Sequence, residues 1–292
     1  MYYYIYDSFT HDPKYAKEIN KISLKLTDLD ILGEEARVTP LRKIDNLVEE
    51  AMKRNYKNII AVGDDETAYN VIQSIARRNK DVCFGMISLR ESIIAKALGI
   101  PQGEEACDII SARRRERIDL GKINNHYFLT SVKIGMGKNF IQASIFKIKK
   151  LRYIFQRNYP EIKLKFEEGF TVTSKFLMLS LLNILSTKKG KLVIATPRQK
   201  VKLRVNPRDG LLDVVIVGAQ NRLELLKNIN RIAKQDFENI SNLSFFRTKK
   251  VKIISKSPVI GMVDSQPIKV SSLAVEVLPK KLSVIVGKER EF

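Results

Sequence analysis

Apolar positions recur at two different periods along this chain, and the change from one to the other divides it. In residues 1–120, short apolar runs alternate with segments whose apolar residues fall every three or four positions. Tyr2 to Tyr6 is an aromatic, strand-like run. Asp12-Pro13 has the form of an N-cap followed by proline at the first helical position, and Tyr15, Ile19 and Ile22 follow at helical spacing. Leu41, Ile44, Leu47, Val48, Ala51 and Met52 form a second helical face, Asn58 to Val62 a strand, and Ala68, Val71, Ile72, Ile75 and Ala76 a further helix. Val82 to Ile87 is another strand, leading to a helix through Ile93, Ile94, Ala97 and Leu98. Strands separated by such helices need crossover connections, so residues 1–120 are expected to form a Rossmann-like, layered α/β domain with a parallel sheet.

Beyond Gly121 the pattern shortens to strands with two helical interruptions. Tyr127 to Ile134, Lys191 to Ala195, Val201 to Val205, Asp213 to Val217, Val251 to Ser255, Val259 to Val263, Leu273 to Leu278 and Leu282 to Val286 are β-rich runs bounded by turn residues. Phe140 to Arg157 and Arg222 to Lys234 read as helices. Residues 121–292 are therefore expected to form a second domain, an antiparallel β-sandwich-like one.

Composition narrows the class without naming the chemistry. With 292 residues, 44% apolar and 29% charged, the chain is long enough for two hydrophobic cores. Its longest apolar stretch, Phe176 to Leu185, is too short to span a bilayer, and Met1 to Asp7 lacks the basic start of a signal peptide. Cys83 and Cys107 supply neither a disulfide framework nor a metal quartet. A cytoplasmic protein, peripheral at the inner membrane face, is the expectation. A formal charge of +20 adds an anionic partner, either acidic phospholipid headgroups or nucleic acid. The basic residues cluster at Arg113–Arg117, Lys147–Arg152, Lys188–Lys191 and Arg198–Arg204.

The strongest chemical signal is the turn after the strand Asn58 to Val62, where Gly63-Asp64-Asp65-Glu66-Thr67 opens a helix. Backbone N–H groups at such a helix start bind phosphate when glycines let the anion approach. Here acidic side chains stand where such glycines are expected, and their carboxylates can bond the free N–H groups themselves.

Taken in order, these strings resemble the diacylglycerol kinase catalytic family, which includes bacterial lipid kinases and sphingosine-kinase-like enzymes. The family's GGDGT loop is matched at Gly63, Asp65 and Thr67. Its second nucleotide motif falls on Leu89-Arg90-Glu91-Ser92, followed by Leu98-Gly99-Ile100-Pro101. Asp119-Leu120-Gly121-Lys122-Ile123-Asn124 is similar to its crossing into the β-domain. Asn206-Pro207-Arg208-Asp209-Gly210-Leu211-Leu212-Asp213 is similar to its N-P…D-G-L-L-D segment, and Asp264-Ser265-Gln266-Pro267 to its D-G-E-P motif.

The resemblance implies ATP-dependent phosphorylation of a lipid hydroxyl. Gly63, Asp64, Asp65, Glu66, Thr67 and Arg90 would then face the nucleotide, and Asp209 would hold Mg2+. Gln266 stands where the family's acidic base belongs, with Asp264 as its neighbouring substitute. An amide has no basic form at neutral pH, and carboxylates at Asp64 and Glu66 repel a phosphate, so the changes point away from an efficient kinase. Two other readings stay open: a non-catalytic descendant that binds lipid, membrane or protein, and charge-driven nucleic-acid binding.

Overall fold

A computed structural model of the chain describes residues 1–78, 80–135, 159, 161–184, 192–195, 200–203, 205–233, 237, 240–264 and 266–292. The chain divides into two compact units, Met1–Leu120 with Pro279–Glu291, and Gly121–Leu278 with Phe292.

In the first unit, β1 (Tyr2–Tyr6), α1 (Ala16–Asp28), β2 (Glu34–Arg37), α2 (Ile44–Lys53), β3 (Asn58–Gly63), α3 (Asp65–Arg78) and β4 (Cys83–Ser88) alternate along the chain. The strands lie in the order β2, β1, β3, β4, all parallel. Every residue of β1, β3 and β4 is buried, as a parallel sheet covered on both faces requires. Helix α2 buries Ile44, Leu47, Val48, Ala51 and Met52, and α3 buries Ala68, Val71, Ile72, Ile75 and Ala76. Leu41 is the exception to the expected face. It is 91% exposed and precedes α2, which begins at Ile44. The expected N-cap Asp12 starts a 3-10 turn, Pro13–Tyr15, with its carboxylate accepting from Lys14 N at 3.1 Å. After β4 come two short helices, α4 (Ile93–Ala97) and α5 (Ala106–Ser111), and then β5 (Arg115–Ile123).

The second unit is antiparallel. It contains β6 (His126–Phe128), β7 (Ser131–Ile134), β8 (Glu161–Phe166), β9 (Thr171–Leu182), β10 (Leu192–Ala195), β11 (Lys200–Leu203), β12 (Leu212–Gly218), α6 (Arg222–Ala233), β13 (Leu243–Thr248), β14 (Lys250–Val263) and β15 (Gln266–Ile285). The strands run β13, β12, β9, β7, β14, β15, and β8 pairs with both β9 and β14. Strands β10 and β11 form a separate pair. One core joins Leu177, Met178 and Leu182 of β9, Val215 and Val217 of β12, and Leu225 and Ile232 of α6. The apolar stretch from Phe176 thus belongs to β9, while the expected helix Phe140 to Arg157 lies outside the described residues. Each of the two C-terminal strand pairs expected from sequence is a single strand. In β14 the register shifts between Ile254 and Val259.

Strand β15 begins in the second unit and ends in the first, where Ser283 and Val284 pair in parallel with Cys83 and Phe84 of β4. Leu282, Val284, Ile285 and Val286 are buried there, and Gly287 N donates to Leu98 O at 2.9 Å. Gly99, at φ +68°, is needed on this path because a side chain would meet the backbone of Arg290. This corrects the expectation that 121–292 form one domain. The apolar run Leu282 to Val286 covers the β4 edge of the parallel sheet. Among the described residues, no helix is long and apolar enough to cross a membrane.

Candidate functional site

At the carboxyl ends of β1 and β3, where open α/β sheets place their ligands, the chain carries Asp7 and the Gly63–Thr67 turn. Asp7 N donates to Val62 O at 2.9 Å, which ties the two strand ends together. Gly63 is required by close approach, since a methyl group there would overlap Thr67 Oγ1 and stand 3.0 Å from the Asp7 Cβ. Thr67 is fully buried, and its hydroxyl donates to Asp7 Oδ2 at 2.7 Å.

The acidic residues of the turn divide their work. Asp64 Oδ1 accepts from Glu66 N at 3.1 Å and Thr67 N at 3.3 Å, capping α3 with a carboxylate. Its other oxygen, Oδ2, accepts from Arg90 Nη1 at 3.2 Å. Arg90 is held on its far side as well. Its Nε donates to the Tyr15 hydroxyl at 2.7 Å, and its guanidinium lies 3.9 Å from the centre of the Phe9 ring. The bond to Tyr15 raises the Arg90 pKa, burial opposes the rise, and the attraction of Asp64 and Asp7 adds to it. Asp65 turns toward α4. Its carboxylate accepts from Ser92 Oγ, Ile93 N at 3.0 Å and Ile94 N at 3.2 Å. Glu66 is exposed.

Two further clusters lie in the second unit. Asp209 closes an Asx turn, accepting from Leu211 N at 3.1 Å, with Gly210 at φ +71°. Its Oδ2 accepts from Arg247 Nη2 at 2.5 Å, and Arg247 Nε donates to Asp213 Oδ1 at 2.9 Å. Burial pushes the Asp213 carboxyl up to about 6, against the pull of Arg247. Asp264 sits at φ +50° in the turn between β14 and β15. Its carboxylate accepts from Leu129 N at 2.9 Å, Thr130 N at 2.8 Å, Thr130 Oγ1 at 2.7 Å and Ser131 N at 3.0 Å. Burial raises its pKa, and these bonds oppose the rise. Gln266, half-buried, pairs with Val263 across the hairpin.

Residues 3–123 match the family model described as "Diacylglycerol kinase catalytic domain", and residues 200–286 match "YegS C-terminal NAD kinase beta sandwich-like domain". Over these two matches the chain is diacylglycerol-kinase-like. A diacylglycerol kinase of Staphylococcus saprophyticus subsp. saprophyticus is 24% identical over 275 residues, 88% of this chain and 87% of that protein. One of Staphylococcus aureus (strain JH9) is 30% identical over 151 residues, 49% of this chain and 47% of that protein, so that match spans about half of each. The crystal structure of a diacylglycerol kinase from Bacillus anthracis str. Sterne superimposes with a TM-score of 0.71 at 17% identity. It covers 98% of this chain and 97% of that one, a likeness of fold.

Diacylglycerol kinases are ATP-dependent, and the resemblance implies a nucleotide and a metal ion at these residues. Neither fits the arrangement as it stands. The N–H groups at the start of α3 that would meet a phosphate already bond Asp64, and the cation beside Asp64 is already Arg90. At Asp209 both oxygens are engaged, one of them by a guanidinium where a metal ion would bring its charge. Among the described residues, no three His, Cys, Asp or Glu side chains are grouped to hold a metal. Of the residues singled out from sequence, the fold brings Asp64, Thr67 and Arg90 together with Asp7. Asp209, Asp264 and Gln266 lie in the second unit. Sequence reasoning missed Asp7, whose signal is its place just after an apolar strand. It also missed Arg247, because the strand β13 that carries it was not anticipated.

Proposed function

We propose that this chain is a lipid-kinase-family protein whose ancestral reaction is ATP-dependent phosphorylation of a lipid hydroxyl, and whose own carboxylate now occupies the phosphate position. The observation that carries this reading is the pair of bonds from Glu66 N and Thr67 N to Asp64 Oδ1. A nucleotide would have to displace that carboxylate and face its charge. At an effective dielectric near 20, unit charges about 4 Å apart repel by roughly 4 kcal/mol, an upper figure that Arg90 and solvent reduce. Even a quarter of it weakens binding about five-fold.

Gln266 supports the same direction. An amide cannot take a proton from a lipid hydroxyl, and general-base help is typically worth about a hundred- to ten-thousand-fold. Asp264, two residues before it, has its two oxygens committed to the backbone of Leu129 to Ser131 and to the Thr130 hydroxyl. These features favour, as the second reading, a descendant that keeps the fold for binding lipid at an anionic membrane surface and has given up turnover.

The deciding experiment is calorimetric titration with Mg-ATP and Mg-ADP, on the unaltered chain and on the double variant Asp64→Gly, Glu66→Gly. The expected result is weak or undetectable binding by the unaltered chain and at least ten-fold tighter binding by the variant. Tight nucleotide binding by the unaltered chain would overturn the reading.

A further inference from the structure

On the solvent side of the second unit's sheet, β8, β14 and β9 align a set of lysines. Residues directly opposite in antiparallel strands share a face, so the register identifies the neighbours of each. Lys165 of β8 stands opposite Lys252 of β14 on one side and Thr171 of β9 on the other. Lys163 stands between Ile254 and Thr173 in the same way. Lys252 is opposite Ala274 of β15, and Ile254 is opposite Ser272. The alternate positions, Ile162, Leu164, Phe166, Val251 and Ile253, are buried, and the three lysines are exposed.

An antiparallel sheet with one wet face ordinarily interleaves charges of both signs, because like charges directly opposite destabilise the pair. Here the acids of this face lie at its margins, Glu167 beyond Lys165 at the end of β8 and two others in ion pairs. Glu161 pairs with Lys256 at 3.4 Å, and Glu276 is shared by Lys122 at 3.4 Å and Lys250 at 3.7 Å. Lys163, Lys165 and Lys252 have no carboxylate partner among the described residues. Their strands are about 4.8 Å apart, and alternate residues of a strand about 7 Å apart, so the three ammonium groups converge on one small area. The residues between them are short hydroxylic or methyl side chains, with Ile254 half-buried, so a flat surface can approach closely.

We propose that this lysine face is the surface on which the chain docks to an anionic lipid bilayer. The inference rests on the lipid-kinase-family reading, which places the protein's ligand in a membrane. Charge complementarity selects the occupant, and the short side chains between the lysines let a broad anionic surface such as a bilayer approach all three at once. With no large apolar side chain exposed among the three lysines, docking is adsorption to headgroups without insertion. It therefore weakens steeply with salt, as charges at the surface are screened within about a Debye length.

The test is sedimentation of the full chain with vesicles of phosphatidylcholine alone, or with one third phosphatidylglycerol, for three proteins. These are the unaltered chain, the triple variant Lys163→Gln, Lys165→Gln, Lys252→Gln, and a charge-matched control, Lys17→Gln, Lys43→Gln, Lys57→Gln, made at exposed positions of the first unit. A lysine near an anionic membrane is worth about a five-fold change in affinity, so the triple variant is expected to lose roughly a hundred-fold on anionic vesicles. The control should lose less than five-fold, and neutral vesicles should bind none of the three. Equal losses in variant and control would show that net charge alone acts and would overturn the proposal. So would failure of the unaltered chain to bind anionic vesicles, or a loss confined to binding of duplex DNA. Diacylglycerol phosphorylation in neutral detergent micelles, read in parallel, reports on the kinase reading separately. Turnover there with no vesicle binding sinks only the docking face, and vesicle binding without turnover leaves the face standing on the non-catalytic reading.

Discussion

Thr67 has no freedom to serve a ligand, because its hydroxyl gives its proton to Asp7 Oδ2 and lies 3.3 Å from Asp64 N. Replacing it by valine keeps the shape and leaves both groups without that partner. Thr67→Val is therefore expected to lower stability by about 1–3 kcal/mol, measured by urea unfolding, while Glu66→Ala, at an exposed position, should change it by less than about 0.5 kcal/mol. Equal effects would show that the hydroxyl network is not what holds the turn. Asp213 gives a pH signature of opposite sign to the usual carboxylate. Its folded pKa, about 6, lies above the unfolded value near 3.9, so its contribution is fully present below about pH 4 and is lost as pH rises through 6. Asp213→Asn should flatten the stability profile between pH 4 and 7, by about 2–3 kcal/mol across that window. An unchanged slope would mean that Arg247 compensates the buried charge in full. At this scale the Gly63–Thr67 turn was legible, since glycine, acids and a threonine after an apolar strand have a local logic. Of its partners, Arg90 was indicated only by the resemblance and Asp7 not at all, because both reach the turn through the crossover of parallel strands.

Individual elements show what the period of a sequence conveys. The helices α2 and α3 bury the residues that their spacing picks out, and β1, β3 and β4 are the apolar runs that a sheet covered on both faces demands. Of the strands that escaped, three in the second unit did so for different reasons. The alternation of β8 is that of a half-buried strand, yet its outward residues are lysines and an acid, which dilute any propensity for strand. In β9 an exposed, hydroxyl-rich start runs into a wholly buried end, so no single period describes it, and β13 buries only Thr248, with its other residues half-buried or exposed. The lysines of β8 and β14 also make a prediction about the element itself. Lys165 and Lys252 face each other across the two strands. Lys252→Glu converts a like-charge pair into an opposite-charge one and is expected to raise stability by about 0.2–1 kcal/mol in low salt, less at high salt, by urea unfolding. A decrease would mean that the lysines are already compensated within the folded chain.

At the scale of the whole molecule, the sequence shows where the texture changes but not that the chain comes back. Nothing in a strand-like run such as Leu282 to Val286 says which sheet it will join, because parallel and antiparallel edges accept the same apolar residues. What decides it is the edge of β4, whose backbone groups need partners and whose neighbours need covering. The first unit therefore depends on a segment more than 150 residues away in sequence, paired at Ser283 and Val284 and bonded from Val286 N to Arg114 O at 3.0 Å. Leu282, Val284, Ile285 and Val286 are each 0–1% exposed, and burial of such side chains is worth about 1.5–3 kcal/mol apiece. Their combined loss is of the order of the 5–15 kcal/mol by which a whole domain is ordinarily stable. A fragment of residues 1–120 should then fail to unfold cooperatively in urea, and a synthetic peptide of residues 279–292 added at high micromolar concentration should restore a transition whose midpoint rises with peptide concentration, as linkage requires. If the fragment alone unfolds cooperatively at the midpoint of the intact chain, the returning strand is an ornament on a sheet that is complete without it. If the peptide rescues, the order of folding is constrained as well, since the unit made first along the chain cannot close until its last residues arrive.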